Sequence, residues 1–177
     1  MREMKGYKIR RALFAIIEFA LIVAIIYVIV TGLQSLGLAE GTETKAYVVC
    51  QPKDWVNART GPSRKSVSLG ELRTGDVVWV TGEQKGRYVL CDNDRFEQGE
   101  CWVHSGYIVY DEPEWMDGRT GTVTCKGPLM ARKNVDGEVR KQLKPGAEIQ
   151  VYWKTNEWCV TSAGFVMTEY IEIDGEG

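Results

Sequence analysis

Leu72-Arg73-Thr74-Gly75-Asp76-Val77-Val78-Trp79-Val80 returns later in the chain as Leu143-Lys144-Pro145-Gly146-Ala147-Glu148-Ile149-Gln150-Val151, and this pair of stretches decides the fold. In each, a turn glycine feeds an alternating run, the period of a β-strand with one buried face. Alternation sends Val78 and Val80 to one side and Trp79 to the other. The neighbouring segments repeat in the same order. Tyr47-Val48-Val49-Cys50 and Val56-Asn57-Ala58-Arg59 reappear as Thr122-Val123-Thr124-Cys125 and Leu129-Met130-Ala131-Arg132. Arg87-Tyr88-Val89-Leu90 matches Glu157-Trp158-Cys159-Val160, and Trp102-Val103-His104-Ser105-Gly106-Tyr107-Ile108 matches Phe165-Val166-Met167-Thr168-Glu169-Tyr170-Ile171. Each copy holds short β-rich runs punctuated by Gly, Pro, Asn and Asp, with no helical periodicity beyond a turn. The expectation is an all-β chain with two small barrels in tandem, at 46–112 and 119–173. A unit of roughly 60 residues buries little apolar surface, so packing of the copies on each other, or disulfides, would help each to stand.

Ahead of the repeats, residues 13–33 form one apolar run, LFAIIEFALIVAIIYVIVTGL, behind the basic residues Arg2, Lys5, Lys8, Arg10 and Arg11. The run has the length of a membrane-crossing helix, about 20 residues, and exceeds a secretory h-region of about 7–15 residues. Residues 12–33 are therefore expected to be a transmembrane α-helix in contact with the lipid bilayer. Lys45 is the next basic residue after the run, so the positive-inside bias places the tail 1–11 in the cytoplasm and the repeats outside. The competing reading is a signal peptide cleaved after Gly37-Leu38-Ala39. Glu18 sits near the cytoplasmic end of the run, where it can stay protonated or reach toward the arginines; no small-residue stripe surrounds it to suggest a helix dimer. Residues 34–45 read as a polar stalk.

Val56-Asn57-Ala58-Arg59-Thr60-Gly61-Pro62-Ser63 resembles the N-V-R-S-G-P-S signature that opens bacterial SH3 (SH3b) domains. Gly70-Glu71-Leu72-Arg73-Thr74-Gly75-Asp76-Val77-Val78 resembles that family's G-x-L-x-x-G-x-x-V segment, and Cys101-Trp102-Val103-His104-Ser105-Gly106-Tyr107-Ile108 its closing G-W-V-H-S-x-Y-L. Two departures stand out: Cys101 replaces the usual glycine, and Asp92–Gln98 lengthens the hairpin before it. The second copy is more divergent, with Lys133-Asn134-Val135-Asp136-Gly137 in place of the Gly-Pro-Ser turn. The resemblance implies SH3-like β-barrels, a non-enzymatic role, and recognition of peptidoglycan or peptides at a bacterial cell wall. Asn57, Arg59, Gly61 and Pro62 are expected to build the turn before they build a site.

The residues themselves offer no catalytic constellation. The single histidine, His104, lies within the repeat's closing motif, which argues against a Cys/His hydrolase. Cys91, Cys101 and His104 give at most three metal ligands without a C-x-x-C knuckle, and no phosphate loop, H-E-x-x-H or G-x-S-x-G occurs. No cofactor is expected. Beyond the apolar run, 17 Lys and Arg stand against 22 Asp and Glu, an acidic balance that argues against nucleic acid. Arg59, Arg64 and Lys65 cluster in one loop, where solvated charge is the plainer account.

Aromatic residues are the better lead, because their faces suit sugar rings and apolar peptide side chains. Arg59, Trp79, Trp102, Tyr107 and Trp153 are the candidate ligand contacts, with core packing the alternative for Trp102, Tyr88 and Trp158. All five cysteines follow the apolar run, in a compartment that permits disulfides. Strand parity suggests Cys50–Cys91 and Cys125–Cys159, with Cys91–Cys101 as the alternative. The expected protein is an anchored extracytoplasmic binder of peptidoglycan or a wall-associated peptide. The alternative is a module docking another membrane or surface protein; a thiol redox protein, lacking any C-x-x-C, is the remaining class.

Overall fold

The computed structural model describes residues 43–175. The expected membrane segment at 12–33, the basic tail and most of the stalk lie outside the described residues. Among the described residues no helix is long and apolar enough to cross a membrane.

Fourteen strands account for the architecture of the described residues. The first seven are β1 (Thr44–Val48), β2 (Val56–Arg59), β3 (Ser68–Leu72), β4 (Val77–Lys85), β5 (Tyr88–Asp92), β6 (Glu100–His104) and β7 (Ile108–Val109). The second seven are β8 (Glu114–Val123), β9 (Leu129–Arg132), β10 (Val139–Leu143), β11 (Glu148–Lys154), β12 (Trp158–Thr161), β13 (Gly164–Met167) and β14 (Ile171–Ile173). Short 3-10 turns, Ser105–Tyr107 and Thr168–Tyr170, precede β7 and β14. The strands make two seven-stranded antiparallel sheets, ordered β3-β2-β6-β5-β4-β1-β7 and β10-β9-β13-β12-β11-β8-β14. Adding seven to each label of the first order gives the second, so the sequence repeat is also a repeat of topology.

Individual bonds repeat as well. Val48 N donates to Asp76 O at 2.9 Å and Val123 N to Ala147 O at 3.0 Å; Val49 N donates to Tyr107 O and Thr124 N to Tyr170 O, both at 2.9 Å. The alternation expected of β4 is present, with Val78 and Val80 buried and Val77 and Trp79 exposed. Positive φ at Gly82, +91°, falls where the β4–β5 register shifts between Val80 and Gln84, as expected of a bulge that needs a residue without Cβ. Two edges differ from the sequence reading. β1 begins at Thr44, inside the stretch read as stalk, and β8 begins at Glu114, ahead of residue 119.

Each sheet wraps its own apolar cluster, one containing Val48, Leu72 and Val103 and the other Val123, Val151 and Val166. A third cluster belongs to both. Tyr47, Val49 and Val109 of the first repeat pack with Val160 and Phe165 of the second. Around it, Val135 N donates to Gly106 O at 3.0 Å and Gln51 Nε2 to Thr161 O at 3.1 Å, while the Tyr107 and Phe165 rings meet edge-on at 6.3 Å. By strand register and the repeated bonds, the positions of Tyr47, Val49 and Val109 are held by Thr122, Thr124 and Glu172 in the second repeat.

The close approach requires Gly106. A Cβ there would lie 2.7 Å from Asn134 Cγ, and Asn134 is itself buried at 5% exposure, so neither side has room to yield. Gly106→Ala is therefore expected to cost about 1–3 kcal/mol, read as a lower denaturant midpoint with intact secondary structure by circular dichroism.

Candidate functional site

The expected ligand contacts do not converge. Arg59 is half-buried, and its guanidinium donates to Ser66 O at 2.9 Å, bracing the β2–β3 loop. The equivalent Arg132 does the same to Gly137 O at 3.1 Å, so this arginine is a loop brace in both copies. Trp102 is only 8% exposed, with the Lys85 ammonium 5.2 Å from its ring centroid; packing, not presentation to a ligand, accounts for it. Tyr107 is committed to His104 at 5.6 Å and to Phe165. Trp153 lies edge-on to Trp115, its partner across β11–β8, with centroids 4.7 Å apart. Trp79 is 43% exposed and stands between Lys45 and Asp92 in the register.

A different set of residues lines an open groove of about 370 Å³ on the second repeat. Met130 comes from β9, Trp158 from β12, Met167 from β13 and Tyr170 from the 3-10 turn, with Pro128 and Cys125 closing one end. The groove has one charged wall, Arg132, whose guanidinium is already engaged with Gly137 O. Methionine is flexible and polarizable and adapts to irregular apolar partners, while Trp and Tyr supply flat faces. Met167 is 41% exposed, so its thioether is available to a partner.

In the first repeat the matching positions are Asn57, Tyr88, His104 and Tyr107. The registers Tyr88↔His104 and Trp158↔Met167 fix this equivalence. There the face is polar and partly closed, because Tyr107 leans on Phe165 and the neighbouring Gly106 on Asn134. The sequence reading missed the groove, although a signal existed: both methionines replace polar residues of the first copy on otherwise matching strands.

A second cavity, about 330 Å³, lies at the junction of the repeats between the Ile108–Asp111 segment and Val135, Glu157 and Trp158. Of its carboxylates, Asp136 and Glu157 are exposed to solvent and Asp111 partly so, the ordinary state of surface charge.

His104 sits in an aromatic chain, 5.4 Å from Tyr88 and 5.6 Å from Tyr107. Its Nδ1 accepts from Gly106 N at 3.2 Å, which requires the neutral ring. Alternation along β6 puts His104 on the face opposite Cys101, so the two do not share a metal site; among the described residues no cluster of three metal-ligating side chains occurs.

Among the described residues, which include all five cysteines, no disulfide is formed. Three of the thiols named in the expected Cys50–Cys91 and Cys125–Cys159 pairs have oxygen partners nearby. Cys50 Sγ donates to Asp54 O at 3.3 Å and lies 3.4 Å from Thr74 Oγ1. Cys125 Sγ donates to Gly127 O at 2.9 Å, and Cys159 Sγ lies 3.4 Å from Thr168 Oγ1.

No protein-family model matches the chain, and no curated protein does. Among solved structures it is similar to NlpC1 from Trichomonas vaginalis, with 10% identity over 78% of this chain and 50% of that one and a TM-score of 0.33. NlpC2 from the same organism gives 8% identity over 75% and 48%, with a TM-score of 0.32. The chain thus spans about half the length of these structures. At such TM-scores neither likeness carries an argument about fold or function.

Burial holds the His104 pKa below its ordinary 6.5, with the Arg87 and Arg64 charges acting in the same direction. A depressed folded-state pKa means that the unfolded chain takes up the proton first. The associated stability is present above about pH 6.5 and is lost as pH falls through the lower folded value. Thermal melts from pH 7.5 down to 5 are expected to show a steeper loss of Tm for the native chain than for His104→Gln.

Proposed function

We propose that this chain is a membrane-held, non-enzymatic binding protein. Its apolar segment at 12–33 crosses the bilayer with the N-terminus in the cytoplasm, and its two sheets are SH3-like β-barrels of the bacterial SH3 kind displayed outside the membrane. The ligand is the peptide of peptidoglycan or a wall-associated peptide, held in the second repeat. One observation carries this reading: the open groove of Met130, Trp158, Met167 and Tyr170, confined to a single repeat and lacking any acidic wall. An apolar, adaptable surface with two aromatic faces suits peptide methyl groups and sugar rings better than it suits a polyanion. Burial of the groove's side chains by a ligand supplies the driving force, at roughly 25 cal/mol per Å² of apolar area.

The test is co-sedimentation of the full chain, kept in detergent micelles, with purified peptidoglycan. Saturable binding is expected, weakened at least about tenfold, or about 1.4 kcal/mol, by Met167→Asp. Trp79→Ala is expected to leave binding unchanged. Absence of binding by folded protein would reject wall recognition and leave the docking of another membrane or surface protein as the reading to pursue, by crosslinking through residues placed at position 167.

A further inference from the structure

Cys91 and Cys101 are directly opposed in the β5–β6 hairpin, within an unbroken register that runs from Tyr88↔His104 to Asp92↔Glu100. Directly opposed residues of antiparallel strands have Cα atoms about 4.5 or 5.5 Å apart, and both spacings fall inside the disulfide window of about 4.4–6.8 Å. The two side chains enter the same core, at 0% and 1% exposure. Their hairpin is held at its loop end by Asn93 N donating to Gly99 O at 2.6 Å and by Asn93 Nδ2 donating to Val77 O at 2.9 Å.

The other three thiols each lie within 3.5 Å of an oxygen partner, as described above. Cys91 has only a long contact, to Val89 O at 3.9 Å. Geometry and bonding therefore single out one pair from an odd set of five.

We propose that Cys91 and Cys101 are the chain's disulfide-forming pair, joined when folding takes place in the presence of an oxidised disulfide compound. Each thiol gives up its proton, an S–S bond forms between the two sulfurs, and the two electrons reduce the oxidant's disulfide to two thiols. Burial determines when this happens. Desolvation pushes the Cys91 thiol up to about 12 and Cys101 up to about 11, and the thiolate is the attacking species. Once the hairpin is packed, the reduced pair is nearly inert at neutral pH, so the bond is made on the way to the folded state. The same shielding then protects it from reductants.

The experiment starts from the reduced, denatured full chain, refolded in detergent with a mixture of oxidised and reduced glutathione, then denatured and alkylated. Three alkylated cysteines are expected, and all five after reduction. Trypsin cuts after Arg95, between the two cysteines, so the bond should hold two peptides together that separate on reduction. Reduced protein that is already folded should keep five thiols in the same mixture over the time in which refolding protein loses two. Cys91→Ala should leave all four remaining thiols free to react. Five thiols in refolded protein with a native circular dichroism spectrum, or a bond mapped to Cys50, Cys125 or Cys159, would overturn the assignment. Equally fast loss of two thiols from folded protein would overturn its link to folding.

Discussion

The docking of the first repeat's closing turn onto the second repeat is the contact on which the remaining structure depends. Each repeat is near the size at which one apolar core gives only marginal stability. The cluster of Tyr47, Val49, Val109, Val160 and Phe165 adds a third core that neither repeat could bury alone. Backbone bonds hold it in register: Val135 N reaches Gly106 O because residue 106 has no side chain. Burial of Phe165 at 0% exposure in this seam uses a strand position that in the first repeat holds Trp102, over whose ring the Lys85 ammonium sits instead. One topology thus closes the same surface by two different means.

That docking also distributes the surfaces left for function. On the first repeat it draws Tyr107 and Gly106 into the seam, with the His104 ring edge-on to Tyr107. On the second repeat the corresponding face carries Met130, Met167 and Tyr170 and stays open. Trp158 contributes both to the shared cluster and to the groove wall, so the groove's back is braced by the same contact that unites the repeats.

Much of the strand arrangement was legible in the residues, because a period-2 pattern and a repeated order of motifs are both local signals. The Val78/Val80 and Trp79 faces followed from alternation alone. The candidate site was less legible, since exposure of an aromatic depends on what crosses it from a distant part of the chain. Trp102 and Trp153 illustrate this: Lys85 covers one and Trp115 abuts the other. Trp115 itself lies in a stretch with no motif, and only its pairing with β11 brings it into the sheet. Cysteine pairing is a matter of register as well as of parity. Parity tells which face a side chain takes, whereas register across the lengthened hairpin decides which cysteine it meets.

The seam is not self-complementary from one repeat to the next. Where the first repeat offers Tyr47, Val49 and Val109, the second offers Thr122, Thr124 and Glu172. Its closing turn also has Glu169 at the position of Gly106. A head-to-tail contact that copied itself could grow without closure, as heterologous interfaces do when their rotation does not return on itself. Polar replacement of three apolar positions, with a side chain in place of the required glycine, removes that route. The second repeat therefore lacks the surface by which the first one docks. At high concentration, a further copy of this chain would find on the second repeat no counterpart of the apolar surface that docks the first repeat onto it.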